Sequence, residues 1–152
     1  MNKNIRNTID DCKILQLPKI TDSRGALTFI EEENHIPFHI KRVYYLYDLS
    51  GIDRGIHAHK ELEQLYISLS GSFKIIIDDG IKKREYLLDK SSQGLYICPM
   101  IWRKIYDISK GSILLVLASQ KYNENDYIRN YEKFMKKVKE LMWSIFILDD
   151  LY

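Results

Sequence analysis

Residues 51–59 read GIDRGIHAH. Two of the four histidines in the chain, His57 and His59, stand one residue apart there, just after Arg54 and Gly55. On an extended strand, residues two apart share a face, so both imidazoles would project to the same side. Two such rings can bind a metal ion or pass protons, because an imidazole titrates near neutral pH. Arg54, Arg103, Arg24 and Arg42 lie in the segments around them. Guanidinium groups suit phosphate oxygens through paired charged hydrogen bonds. The combination points to proton transfer beside a carbonyl in a phosphorylated keto substrate.

The metal alternative depends on further ligands. The spacing Gly51, His57, His59 and Gly71 resembles the first cupin motif, which also carries an acidic ligand. Counting back from Gly71, that ligand position falls on Gln64, with Glu63 one place away. One residue of slip on a strand turns a side chain to the opposite face. The segment after Pro99, where a further histidine would be expected, reads PMIWRKIYD and offers Arg103 and Lys104 instead. A divalent first-row metal prefers several imidazole, carboxylate or thiolate donors, and neighbouring cations oppose it. The reading is therefore of a site with no metal.

These residues need a scaffold of strands. Short apolar or alternating runs recur between turn signals: Cys12–Leu17, Ala26–Glu32, HIKRVYYLYD after Pro37, Glu63–Leu69, Phe73–Ile77, Tyr86–Leu88, Leu95–Cys98, Trp102–Ile108 and Ile113–Ala118. TDSRG at 21–25 reads as a turn. Asp78-Asp79-Gly80 reads as a hairpin, since glycine accepts the positive φ such turns need. This pattern predicts an all-β sandwich or barrel. After Tyr122 the apolar period changes to steps of three and four, through Ile128, Tyr131, Phe134, Met135, Val138, Leu141 and Met142. That predicts an amphipathic C-terminal α-helix over about 125–143, with Asn125 or Asp126 as its N-cap. The expected organisation is one domain over 1–152, with the barrel over about 10–122.

Composition narrows the class. The chain has 152 residues, 45% hydrophobic and 29% charged, which fits an ordinary globular protein. A net charge of +2 gives no reason to expect a nucleic-acid partner. Lys133, Lys136, Lys137 and Lys139 alternate with apolar residues and read as a solvated helix face. No run is long enough to span a bilayer, and the N-terminus does not read as a signal peptide. Cys12 and Cys98 are isolated in sequence and read as reduced thiols of a cytoplasmic protein.

Over about Thr21–Tyr131 the sequence resembles the cupin-type sugar-nucleotide 3,4-ketoisomerases acting on dTDP-4-keto-6-deoxyglucose. The matching stations are DSRG (22–25), IPFHIKRVYYLYD (36–48), RGIHAHK (54–60), GLYICPMIWR (94–103), VLAS (116–119) and DYIRNY (126–131). The resemblance implies a jelly-roll barrel, a homodimer with exchanged N-terminal strands, and a cytoplasmic enzyme without metal or organic cofactor. It implies that His57 and His59 carry the acid–base chemistry through an enediol, making a dTDP-3-keto-6-deoxy sugar for 3-amino sugars of surface glycans. Arg54 resembles a diphosphate ligand, Arg42 is a weaker candidate, and Gln64 lines the barrel. Arg24 resembles the galacto-forming members and Arg103 the gluco-forming ones; the gluco product is the expectation. Which histidine serves C3 and which C4 stays open. The rival readings are a non-catalytic cupin that binds a nucleotide-sugar, a metal-dependent cupin, and a nucleotide-sugar epimerase.

Overall fold

The structure is a computed structural model and describes residues 6–149. The strands are β1 (Lys13–Gln16), β2 (Lys19–Asp22), β3 (Gly25–Thr28), β4 (Arg42–Leu46), β5 (Arg54–His59) and β6 (Gln64–Ser70). They continue with β7 (Phe73–Asp78), β8 (Lys83–Leu88), β9 (Gln93–Ile97), β10 (Trp102–Tyr106), β11 (Ile113–Ala118) and β12 (Tyr127–Ile128). Two antiparallel five-stranded sheets, ordered β1-β9-β6-β11-β4 and β12-β5-β10-β7-β8, form the two walls of a cupin jelly roll. The expected fold class is the one observed.

Register decides what faces inward. In the first sheet Tyr44, Val116, Tyr66 and Leu95 lie side by side across four strands, and Arg42, Ala118, Gln64 and Ile97 form the next row. In the second sheet Ile105, Ile75 and Tyr86 form one row, and His57, Arg103 and Ile77 the next. Apolar side chains from both walls, among them Phe73, Ile75, Ile77, Leu95, Ile97, Ile105, Leu114 and Val116, merge into one buried core. The β7–β8 turn carries Gly80 at φ +87, and Asp79 accepts bonds from the Ile81 and Lys82 amides. That is the hairpin anticipated at Asp78–Gly80.

The helix differs from expectation. The helix, α1, runs from Tyr131 to Asp149, not over 125–143. Tyr127 and Ile128 are taken up by β12, which pairs with His59 and Ala58, so the helix cannot begin at 125. Asn130 caps it instead: its Oδ1 accepts from the Lys133 amide at 2.9 Å. The far end extends because no glycine or proline interrupts residues 131–149. Phe134 and Val138 pack with Ala58, Met100 and Ile128 against the outer face of β5. Ala58 alternates with the two histidines, so the helix covers the back of the strand whose front carries them. Beyond Met142 the helix leaves the barrel, and Trp143, Phe146 and Ile147 are exposed.

Two further placements were not legible in the sequence. Cys12 and Cys98, isolated along the chain, put their sulfurs 3.5 Å apart in the core. The β2–β3 hairpin pairs with no other described strand and leaves Ile20 and Leu27 exposed. No described helix is long and apolar enough to cross a membrane.

Candidate active site

The site is built on β5. Its sequence alternates so that His57 and His59 face inward and Ala58 outward, and both histidines are buried. Their rings meet edge to face with centroids 4.8 Å apart. On the neighbouring strand β10, Arg103 stands directly opposite His57 and is fully buried. A buried guanidinium must have its donors satisfied. Here Nε and Nη2 donate to the Ile101 carbonyl at 3.3 and 2.7 Å, and Nη1 donates to Oε1 of Gln64 on the facing sheet. Gln64 then donates through Nε2 to the Tyr44 hydroxyl at 2.8 Å, and Tyr66 donates to Gln64 Oε1 at 3.3 Å. This chain of bonds ties the two walls together beside the histidines. Glu63, one residue away, instead accepts from Tyr96 at 2.5 Å. The one-residue slip thus leaves glutamine, not glutamate, in the barrel.

Electrostatics set the protonation states. Burial first, and then the Arg103 charge, push the pKa of His57 down to about 3. The same two causes, joined by His57, Arg42 and Arg129, push that of His59 lower still. Both imidazoles are therefore neutral near pH 7. Burial raises the Tyr44 and Tyr66 hydroxyls above their ordinary range, so both stay protonated. Among the described residues no three His, Cys, Asp or Glu side chains gather as a metal site. The donor chemistry agrees, since the amide in the ligand position already bonds a cation.

The other arginines divide. Arg42 is half-buried on β4, with its guanidinium over the rings of Tyr44 and Tyr122 at 5.2 and 5.6 Å. Arg54 opens β5 and is exposed. Three residues before His57, it should face the other way. However, Arg54 pairs with Ile105 while His57 pairs with Arg103, so β5 carries one extra residue there. Gly55 supplies that bulge at φ +63, and a Cβ on it would lie 2.9 Å from Ile105 Cδ1. The bulge restores Arg54 to the face that bears the histidines. Arg24 is not brought into this cluster. It sits in the β2–β3 turn, 88% exposed, and bonds Asp22 at 2.5 Å.

Three residues of the site were not singled out from the sequence. Asp126 was expected to cap a helix. Its carboxylate instead contacts His59 Nδ1 at 3.0 Å and accepts from the Glu61 and Leu62 amides at 2.9 and 3.3 Å. Tyr127 lays its ring 4.3 Å from the His59 ring and 4.9 Å from that of His57. Arg129 stacks over Tyr127 at 4.1 Å and is held by Glu124 at 2.7 and 3.0 Å. All three lie within DYIRNY, and the cue available was a two-residue strand too short to stand out from its neighbours.

The arrangement has unspent capacity. Buried polar atoms are normally hydrogen-bonded, so each exception asks for an explanation. Among the described residues four buried side-chain nitrogens lack a partner, and three of them are His57 Nε2, His59 Nε2 and Arg42 Nε. Three unpaired nitrogens in one cluster leave hydrogen-bonding capacity open beside the histidines.

Comparison with known proteins fits this site. The FdtA family model, described as WxcM-like, C-terminal, matches residues 10–139. The chain belongs to this family. It is 47% identical over 130 residues to the TDP-4-oxo-6-deoxy-alpha-D-glucose-3,4-oxoisomerase of Aneurinibacillus thermoaerophilus, covering 85% of this chain and 94% of that one. The TDP-quinovose 3,4-ketoisomerase WlaRB of Campylobacter jejuni is 46% identical, with a TM-score of 0.81 over 84% of this chain and 99% of that one. The 3,4-ketoisomerase QdtA of Thermoanaerobacterium thermosaccharolyticum is 40% identical in a His-to-Asn mutant solved with TDP-4-keto-6-deoxyglucose. That structure has a TM-score of 0.83 and covers 92% of this chain and 97% of that one. Another structure of QdtA, with TDP, carries a double replacement of tyrosine by arginine and arginine by histidine. Like the FdtA-family enzymes it resembles, the chain is an isomerase.

Proposed function

We propose that the chain isomerises TDP-4-keto-6-deoxyglucose to the corresponding 3-keto sugar by proton transfer between His57, His59 and the substrate. The observation that carries this is the pair of buried neutral imidazoles, each with an unpartnered Nε2, beside a fully buried guanidinium. The 4-ketone acidifies the proton at C3. A neutral imidazole removes it, and the electron pair moves into a C3–C4 enediol, with the 4-oxygen taking the charge. Arg103, already fixed by Gln64 and Ile101, stabilises that oxygen without having to reorient. Return of a proton to C4 and passage of the C3 hydroxyl proton to the 4-oxygen leave the ketone at C3 and a hydroxyl at C4. Atoms and electrons balance with no oxidant. Arg54, aligned by the Gly55 bulge, binds the diphosphate, and Arg42 assists from β4. Gln64 lines the sugar pocket.

The proposed product keeps the gluco configuration at C4. Arg103 stays charged at all working pH values and cannot donate a proton. Protonation then falls to the histidine face alone. The 46% identity to an enzyme named for TDP-quinovose, a gluco-configured sugar, supports this. The exposed β2–β3 hairpin is the segment that a homodimer with exchanged N-terminal strands would cover, and Arg24 travels with it. NMR of the product formed from TDP-4-keto-6-deoxyglucose tests the reading. A 3-keto gluco sugar is expected. A galacto product would transfer the stereochemical role to Arg24. Solvent exchange at C3 or C5 with the ketone still at C4 would mean an epimerase, and no reaction would mean a binding protein.

A further inference from the structure

Asp126 sits where its carboxylate meets His59, its one ion-pair partner among the described residues. Its side chain is buried, and its orientation is overdetermined: Oδ1 accepts the Glu61 amide, Oδ2 accepts the Leu62 amide, and its own carbonyl accepts the Lys60 amide at 2.9 Å. The remaining contact of Oδ2 is His59 Nδ1 at 3.0 Å. An ionised carboxylate only accepts hydrogen bonds. The proton of a neutral His59 must therefore sit on Nδ1, which leaves a lone pair on Nε2. The opposite tautomer would set two acceptors against each other and bury an Nε2–H with no partner, at the cost of a lost bond on both sides.

We propose that Asp126 is a positioning residue that fixes His59 in the Nδ1–H tautomer, so that Nε2 meets the substrate as a bare proton acceptor. This rests on the reading of His59 as a proton carrier. The groups around His59 explain why such a partner is needed. His57 on the same strand, Arg103 on β10, Arg42 on β4 and Arg129 after β12 all disfavour an imidazolium, and Tyr127 adds only a neutral ring. Among the described residues Asp126 is the one carboxylate paired with His59, and it offsets them at the moment Nε2 takes a proton. It touches no reacting atom and acts only through His59.

Asp126→Asn separates this role from simple scaffolding. The amide oxygen can still accept from the residue 61 amide, while the NH2 in the place of Oδ2 gives up the 3.3 Å bond from the residue 62 amide, faces Nδ1 and drives the proton to Nε2. In protein with 15N-labelled histidine, NMR of the native chain should report Nδ1 protonated and Nε2 bare at His59. The variant should report the reverse. Turnover should fall about 10²–10⁴-fold with KM little changed. Asp126→Asn should cost nothing further in a His59→Asn background. A native His59 protonated at Nε2 overturns the proposal, and this holds even should the variant fail to fold. So does an unchanged tautomer in Asp126→Asn, or a full additional loss in the double variant. Should His59→Asn alone keep its turnover while the tautomer still inverts, the proton-carrier reading fails and the positioning by Asp126 stands.

Discussion

The two ends of the barrel interior are built from the same strands and opposite materials. β4 enters with Arg42 and Tyr44 and leaves with Leu46; β10 enters with Arg103 and leaves with Ile105. At one end Leu46, Phe73, Ile75, Leu88, Ile105 and Leu114 fill the space with hydrocarbon. At the other, His57, His59, Arg42, Tyr44, Gln64 and Arg103 hold a cation, a glutamine and two imidazoles out of water. The first end repays the entropy of folding through apolar burial. The second is costly, since three of its buried nitrogens lack partners. A fold carries such a cost where a ligand later supplies the missing bonds. On the proposed function, stability and catalysis are thus assigned to opposite ends of one core.

Substitutions at the two ends should therefore fail in different ways. The largest stability effect belongs to the apolar end. Phe73→Ala empties a fully buried site and should cost about 3–5 kcal/mol in denaturant unfolding. Protein that still folds should retain its intrinsic turnover. At the exposed start of β5, Arg54→Ala should leave unfolding unchanged within about 0.5 kcal/mol, because the side chain is exposed. It should weaken TDP-sugar binding, measured calorimetrically, by about 1.5–3 kcal/mol. Equal weakening for a sugar fragment without phosphates would show that Arg54 only supports the bulge.

Smaller effects come from protons and metals. The His57 pKa in the folded chain is depressed to about 3, below its unfolded value near 6.5. Such a group contributes its stability fully above pH 6.5 and loses it as pH falls from there toward 3. The loss is at most about 1.4 kcal/mol per pH unit for each histidine. His57→Asn should flatten that slope in unfolding curves taken between pH 7 and pH 4. An unchanged slope would place the pH sensitivity in other groups. Exhaustive chelation should change activity least of all. Activity lost on chelation and restored by one stoichiometric metal would contradict the donor chemistry around Gln64.

Where the sequence was readable, the reason is local. Strand parity placed His57 and His59 on one face and Gln64 rather than Glu63 in the barrel. The Asp78–Gly80 hairpin follows from glycine chemistry, and Ile113–Ala118 from an apolar run. What escaped notice depends on partners far along the chain. Asp126 looks like a helix cap until β12 brings it beside His59, 67 residues away. Cys12 and Cys98 meet across 86 residues. Arg54 lands on the face that bears the histidines only because Gly55 adds a residue to β5, and the isolated glycine in RGIHAH was the one local cue to that bulge.

The central claim is that two buried neutral imidazoles move the proton. The direct measurement follows TDP-4-keto-6-deoxyglucose by NMR in deuterated water with the native chain, His57→Asn and His59→Asn. Asparagine keeps part of the hydrogen bonding but cannot exchange a proton near neutral pH. The native chain should move the ketone to C3 and place deuterium at C4, and each variant should fold yet do so about 10²–10⁴-fold more slowly. Near-native rates in both variants would contradict the account.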